Sequence, residues 1–184
     1  MIFSIAPKTI IAHIFVFIAY LIMYYFTFFN VKRKLILILN SISQIMFGIH
    51  YILLGALSGT IVSFIGMIMF IIFSFKDKNK FFKSIFIPLF FVLIYSGVGL
   101  YSYFKTHIII EILPIICNYI AIYSFFRNKE IEIKTYNIPI SILWITYNIF
   151  FSAWVGLVCQ IILLIFDIIF IFKYFFIVSS LSYK

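Results

Sequence analysis

An all-α polytopic membrane bundle of seven transmembrane helices is the fold class the sequence predicts, on three observations. Hydrophobic residues fill 66% of the 184 positions and charged residues 10%, with a mean hydropathy of +1.24. A soluble domain of this size could not cover its surface with so few polar groups. Seven runs approach the ~20 apolar residues a bilayer-crossing helix needs, parted by short polar breaks. Basic residues gather in alternate breaks, as the orientation rule for membrane helices requires.

The spans are expected at 9–29, 35–54, 59–75, 84–103, 109–126, 136–152 and 156–175. The first run lacks a preceding basic stretch and a small-residue cleavage site and is too long for a secretory signal, so it is expected to remain as a helix. It ends at Asn30-Val-Lys-Arg-Lys34, and the second ends at the tight Gly55-Ala-Leu-Ser-Gly59 turn. Lys76-Asp-Lys-Asn-Lys80 closes the third, and the weaker Lys105-Thr-His107 closes the fourth. The fifth stops at Arg127-Asn-Lys-Glu130, a polar stretch continuing to Lys134, and Ser152-Ala-Trp-Val155 separates the last two. Spans three, five, six and seven are short, so little tilt is expected.

With seven crossings, Lys32, Arg33, Lys34, Lys76, Lys78, Lys80, Lys83, Arg127, Lys129, Lys134, Lys173 and Lys184 fall on one side, and Lys8 and Lys105 on the other. This asymmetry predicts an outside N-terminus and a cytoplasmic C-terminus. An error of one span would scatter the positive charge over both faces.

The formal charge of +9 does not point to nucleic acid, because the basic residues sit in short loops beside helices, where they anchor topology and meet anionic lipid. Cys117 and Cys159 lie in apolar runs without a Cys-x-x-Cys pattern and read as buried free thiols. No Gly-rich phosphate loop, His-Glu-x-x-His or serine nucleophile motif occurs, so neither an enzyme nor a cofactor is expected. His107 and Glu111 are four apart but lack the further ligands of a metal centre. His13 reads as a satisfied intramembrane polar group and His107 as part of an outer loop.

An ungapped shift of 97 pairs Asn40 with Asn137, Gly59 with Gly156, Lys76 with Lys173, and Phe28-Phe29 with Phe125-Phe126. The reading is of two parallel triple-helix repeats, 9–75 and 109–175, joined by a linker helix 84–103 in a single membrane domain 1–184. Asn40, Gln44, Phe47 and Tyr51 are spaced to share one helical face, and Asn137, Ser141, Trp144 and Asn148 repeat that spacing. In lipid these amides should turn inward, either lining a cavity or joining helices by hydrogen bonds.

Span five adds Glu111 and Asn118, and span seven adds Gln160 and Asp167, whose first-unit counterparts are Ser63 and Phe70. An acidic group inside a span takes a cationic partner or becomes a proton or cation site. Asp167 is the stronger candidate for such coupling, its alternative being a contact with Lys173 or another basic residue near the cytoplasmic end. Glu111 lies nearer the outer end, where solvation is the alternative. His50, beside Tyr51, is a candidate for proton movement or solute contact. Pro88, Pro114 and Pro139 are expected to kink or start helices, and Pro114 to free backbone carbonyls for a solute.

Gln44 to Gly59 (QIMFGIHYILLGALSG) and Ser141 to Gly156 (SILWITYNIFFSAWVG), with the seven-span layout, resemble the YgjV-like bacterial inner-membrane family over nearly the whole chain. The three-one-three organisation is more distantly similar to the SWEET and PQ-loop carriers and to the PnuC vitamin-precursor carriers. That resemblance implies a solute site near the midplane between the repeats and alternating access. Two departures stand out: spans two and three carry no proline, and the Pro-Gln signature is absent.

The first functional reading is therefore a small-solute transporter or facilitator whose central site comprises Gln44, Tyr51, Asn118, Trp144, Asn148 and Gln160, with Asp167 and His50 as coupling groups. The alternative is a noncatalytic membrane scaffold or accessory subunit whose polar residues only hold helices together. Expected partners are a small polar or ring-containing solute and membrane lipid, with no nucleic acid and a homo-oligomer left open.

Overall fold

The computed structural model describes residues 7–29, 31–76, 78, 80–126 and 130–182, with the side chains of 130 and 176–182 outside the description. Arg127, Lys129 and Lys184, counted above in the charge asymmetry, therefore lie outside the described residues. Seven long helices are present there: α1 Pro7–Phe28, α2 Arg33–Leu54, α3 Leu57–Ser74, α4 Phe86–Thr106, α5 Leu113–Phe126, α6 Glu130–Phe150 and α7 Trp154–Ser182. A helical turn at Lys80–Lys83 precedes α4, and a 3₁₀ turn at Ile109–Ile112 leads into α5.

Among the described residues, six segments are long and apolar enough to cross a membrane: α1 to α4, the 3₁₀ turn together with α5, and α7 through Phe175. The predicted sixth span, α6, is 21 residues long but is not among them. It begins six residues earlier than the expected 136 and so takes Glu132 and Lys134 into the helix, beside Asn137, Ser141 and Asn148. Such a helix can carry polar groups because it packs against α5 on one side and α7 on the other.

The packing forms a ring. Helix α2 lies between α1 and α3, α6 lies between α5 and α7, and the two sets meet where α3 touches α5 and α1 touches α7. Helix α4 stands outside this ring against α3 and α5. One apolar cluster joins α2, α3, α4 and α5 through Leu37, Met69, Phe73, Phe91 and Phe125. A second joins α1, α2, α6 and α7 through Val16, Tyr20, Phe47, Tyr147 and Leu163. Large apolar side chains such as Ile10, Phe17, Leu93 and Phe172 point outward, the surface a bilayer would cover.

Helix starts recur at a fixed interval: α2 at 33 and α6 at 130, α3 at 57 and α7 at 154. The turns between them match bond for bond. Gly55 N donates to Ile52 O at 3.1 Å and Ala56 N to Tyr51 O at 3.0 Å; Ser152 N donates to Ile149 O at 3.2 Å and Ala153 N to Asn148 O at 2.9 Å. These close the ends of α2 and α6 with a turn residue in the left-handed region, Gly55 at φ 74° and Ser152 at φ 53°.

At the opposite end, basic side chains meet helix C-termini, whose last carbonyls lack intrahelical donors. Arg33 donates to Phe125 O at 2.8 Å, Lys76 donates to Phe126 O, and Lys134 donates to Thr27 O at 3.2 Å. Arg33 and Lys134 are buried. The expectation that these residues are loop anchors is thus corrected for these two: their charge is spent inside the bundle on the carbonyl ends of α5 and α1.

Candidate functional site

A cavity of about 70 Å³ opens between the α1–α3 set and the α5–α7 set. One water needs roughly 10–15 Å³ on this measure, so several fit. Its wall contains five residue pairs separated by the same interval of 97: Tyr20 and Cys117, Asn40 and Asn137, Gln44 and Ser141, Phe47 and Trp144, Ser63 and Gln160. Helical spacing explains why these side chains share the cavity, because 40, 44, 47 and 51 follow one face of α2 and their counterparts follow one face of α6.

Five of the six residues named above as the central site line this cavity: Gln44, Tyr51, Asn118, Trp144 and Gln160. Asn148 does not. Its Oδ1 instead accepts the Tyr51 hydroxyl at 2.9 Å, a bond between two residues whose numbers differ by 97. It therefore joins the last turns of α2 and α6 and closes one end of the cavity. Tyr51 also stacks on Trp144, with ring centroids 5.5 Å apart and planes 15° from parallel. Phe70 and Phe125 meet edge to face at 4.8 Å toward the other end.

Side-chain bonds across the wall are uneven. Gln160 is committed at both ends of its amide, accepting from the Tyr20 hydroxyl and donating from Nε2 to Ser141 Oγ at 2.7 Å. Asn118 donates from Nδ2 to Pro114 O at 2.7 Å, and Asn40 from Nδ2 to Ile36 O at 3.0 Å. Pro114 is the second residue of α5, where the N–H it lacks would have no helical partner, so it starts the helix. Gln44 makes no side-chain hydrogen bond among the described residues.

Asp167 and His50 lie behind the wall. Asp167 is fully buried, and neither carboxyl oxygen has a hydrogen-bond partner among the described residues. Its electrostatic neighbours are Lys134 and Asn137, and Asn137 in turn lines the cavity. The cationic neighbour is therefore Lys134 on α6, a basic residue other than Lys173. His50 is fully buried, its Nδ1 2.9 Å from Ala12 O and its Nε2 without a partner among the described residues. The His13 ring lies 6.1 Å away, its Nδ1 without a partner among the described residues, against the expectation of a satisfied group.

Glu111 is also buried, against the solvated alternative. Its Oε2 accepts Ser58 N at 2.8 Å and the Tyr147 hydroxyl at 3.4 Å, while Gly59 N donates to the Tyr147 hydroxyl at 3.0 Å. A carboxylate thus satisfies the first turn of α3, where free N–H groups and the helix dipole favour an anion.

Tyr20, Tyr147 and Lys134 were not named as site or network residues from the sequence. The pairing of Tyr20 with Cys117 was available from the shift of 97, but nothing local marks Tyr20 as the partner of Gln160, 140 residues away.

Among the described residues, no group of three or more His, Cys, Asp or Glu side chains is arranged to hold a metal ion. No curated protein and no solved structure matches the chain. A model of a bacterial inner membrane protein family, Imp-YgjV, matches residues 10–176, which takes in the cavity and all of its lining residues. With its apolar helices and a match of that extent, the chain belongs to the YgjV family of bacterial inner membrane proteins.

Proposed function

We propose that this protein is a small-solute transporter or facilitator, with a central site between two parallel triple-helix repeats. The observation that carries this reading is the cavity wall built from five residue pairs at one fixed interval. A cavity on a pseudo-twofold axis is where two repeats can rock against each other around a fixed site. The repeated helix starts and turn bonds support counting α6 as a span, giving a three-one-three, SWEET-like order with α4 as linker.

The solute contacts are Gln44, Tyr51, Asn118, Trp144 and Gln160, with Asn148 positioning Tyr51. Asp167 is the coupling group, reaching the cavity through Asn137, and His50 is a second candidate behind Tyr51. The N-terminus is outside and the C-terminus cytoplasmic, since the basic residues then face the cytoplasm. Lipid surrounds the bundle, and no catalysis is assigned.

The test is the thermal stability of the purified protein in detergent against sugars, nucleosides, vitamin precursors and amino acids. A saturable shift for one class, lost in Trp144→Ala at unchanged folding, is the expected result. No shift with any class, in wild type or variant, favours the noncatalytic scaffold.

A further inference from the structure

The cavity wall also selects a solute by charge and by hydrogen-bond polarity. Among the described residues no charged side chain lines it, although the chain carries 14 basic and 5 acidic residues. Asp167 on α7 and Lys134 on α6 both lie outside the cavity wall, so neither charge lines it. An ion entering from water would lose its hydration without a counter-charge, and a buried unpaired ion is costly.

Two of the polar groups that line the cavity keep an acceptor without a partner among the described residues. Asn40 and Asn118 each commit Nδ2 to a carbonyl one turn earlier on their own helix. That bond fixes the orientation of the amide, because only the NH₂ end can donate. Each side chain keeps its Oδ1, an acceptor without a partner among the described residues, together with the second hydrogen of its Nδ2. Gln160 has both ends engaged and offers less. Gln44, without a side-chain partner among the described residues, supplies either polarity. Beside them lies the aromatic surface of Phe47, Tyr51 and Trp144.

Resting on the transporter reading, we infer that the solute is an uncharged molecule with hydrogen-bond donors, N–H or O–H, on a compact ring. The Asn40 and Asn118 oxygens would accept from those donors, and the ring would lie against Trp144. A site whose acceptors are buried rejects an analogue lacking the donors, because those acceptors then go unpaired.

The experiment uses the full chain in detergent and a matched probe set: benzamide and myo-inositol as neutral donors, N,N-dimethylbenzamide without donors, benzoate as anion and benzylamine as cation. A saturable thermal shift with a neutral donor is expected, at least tenfold weaker with the donor-blocked amide and absent with both ions. Asn118→Ala and Gln44→Ala should each weaken the response roughly tenfold, the size of one lost hydrogen bond. A stronger response to benzoate or benzylamine overturns the inference while leaving a binding site in place. Equal responses to the two amides overturn the donor requirement. Silence from the whole set, in wild type and variants, counts against this inference and against the central site on which it rests.

Discussion

The turns at 51–60 and 148–157 share their backbone bonds and differ in what holds them. Gly55 and Ser152 both sit in the left-handed region, and Thr60 N and Leu157 N both donate back to an alanine carbonyl, at 3.1 and 2.8 Å. Around the first turn, however, Glu111 and Tyr147 reach across from the other half to bind Ser58 and Gly59. No such clamp acts on Val155 and Gly156, the matched positions, among the described residues. The fixed interval sets the path of the chain, and the side chains then make one turn the junction between the halves and leave the other as a plain connection.

Breaking the clamp should have the largest effect. Glu111→Ala strands the Ser58 N–H in a buried site, and should cost about 3 kcal/mol in unfolding from mixed micelles, against about 1 kcal/mol for Glu111→Gln, which keeps an acceptor. Gly59→Ala comes next, because a Cβ there would lie 2.9 Å from the Tyr51 ring and 3.0 Å from the Tyr147 hydroxyl. A loss of about 2 kcal/mol is expected from such overpacking. Gly156→Ala meets nothing closer than 3.4 Å and should stay within about 1 kcal/mol of wild type, so equal losses at the two glycines would erase the contrast.

Smaller effects sharpen the comparison. Tyr51→Phe removes the bond to Asn148 and should cost about 1 kcal/mol, with a loosened cavity end readable as faster amide exchange in the last turns of α2 and α6. Ser152→Gly relieves a left-handed φ of 53° and should stabilise by about 0.5 kcal/mol in the same unfolding assay.

Much of the scaffold was legible because apolar run length and turn chemistry are local. The Gly55 turn and its counterpart at Ser152 could be read by eye, and the two polar faces followed from spacing alone. The partners were less legible. Asn148 reads as a solute ligand on the helical wheel, yet its oxygen goes to Tyr51, since only the crossing of α2 and α6 decides which polar groups satisfy one another. Lys134 reads as a loop residue because charge usually ends a span, whereas here the carbonyl end of α1 accepts it. Glu111 and Ser58 are 53 residues apart, and no local pattern links them.

Cys117 provides the most direct test of the central claim, because it lines the cavity and needs no known solute. In a Cys159→Ala background reconstituted into vesicles, the measurement is the rate at which the neutral reagent N-ethylmaleimide modifies Cys117. A cavity that opens to water during a transport cycle predicts steady modification of the native protein, slowed by any solute that raises its thermal stability. A thiol that stays unmodified until the protein is denatured would contradict the account and identify the polar pairs as packing alone.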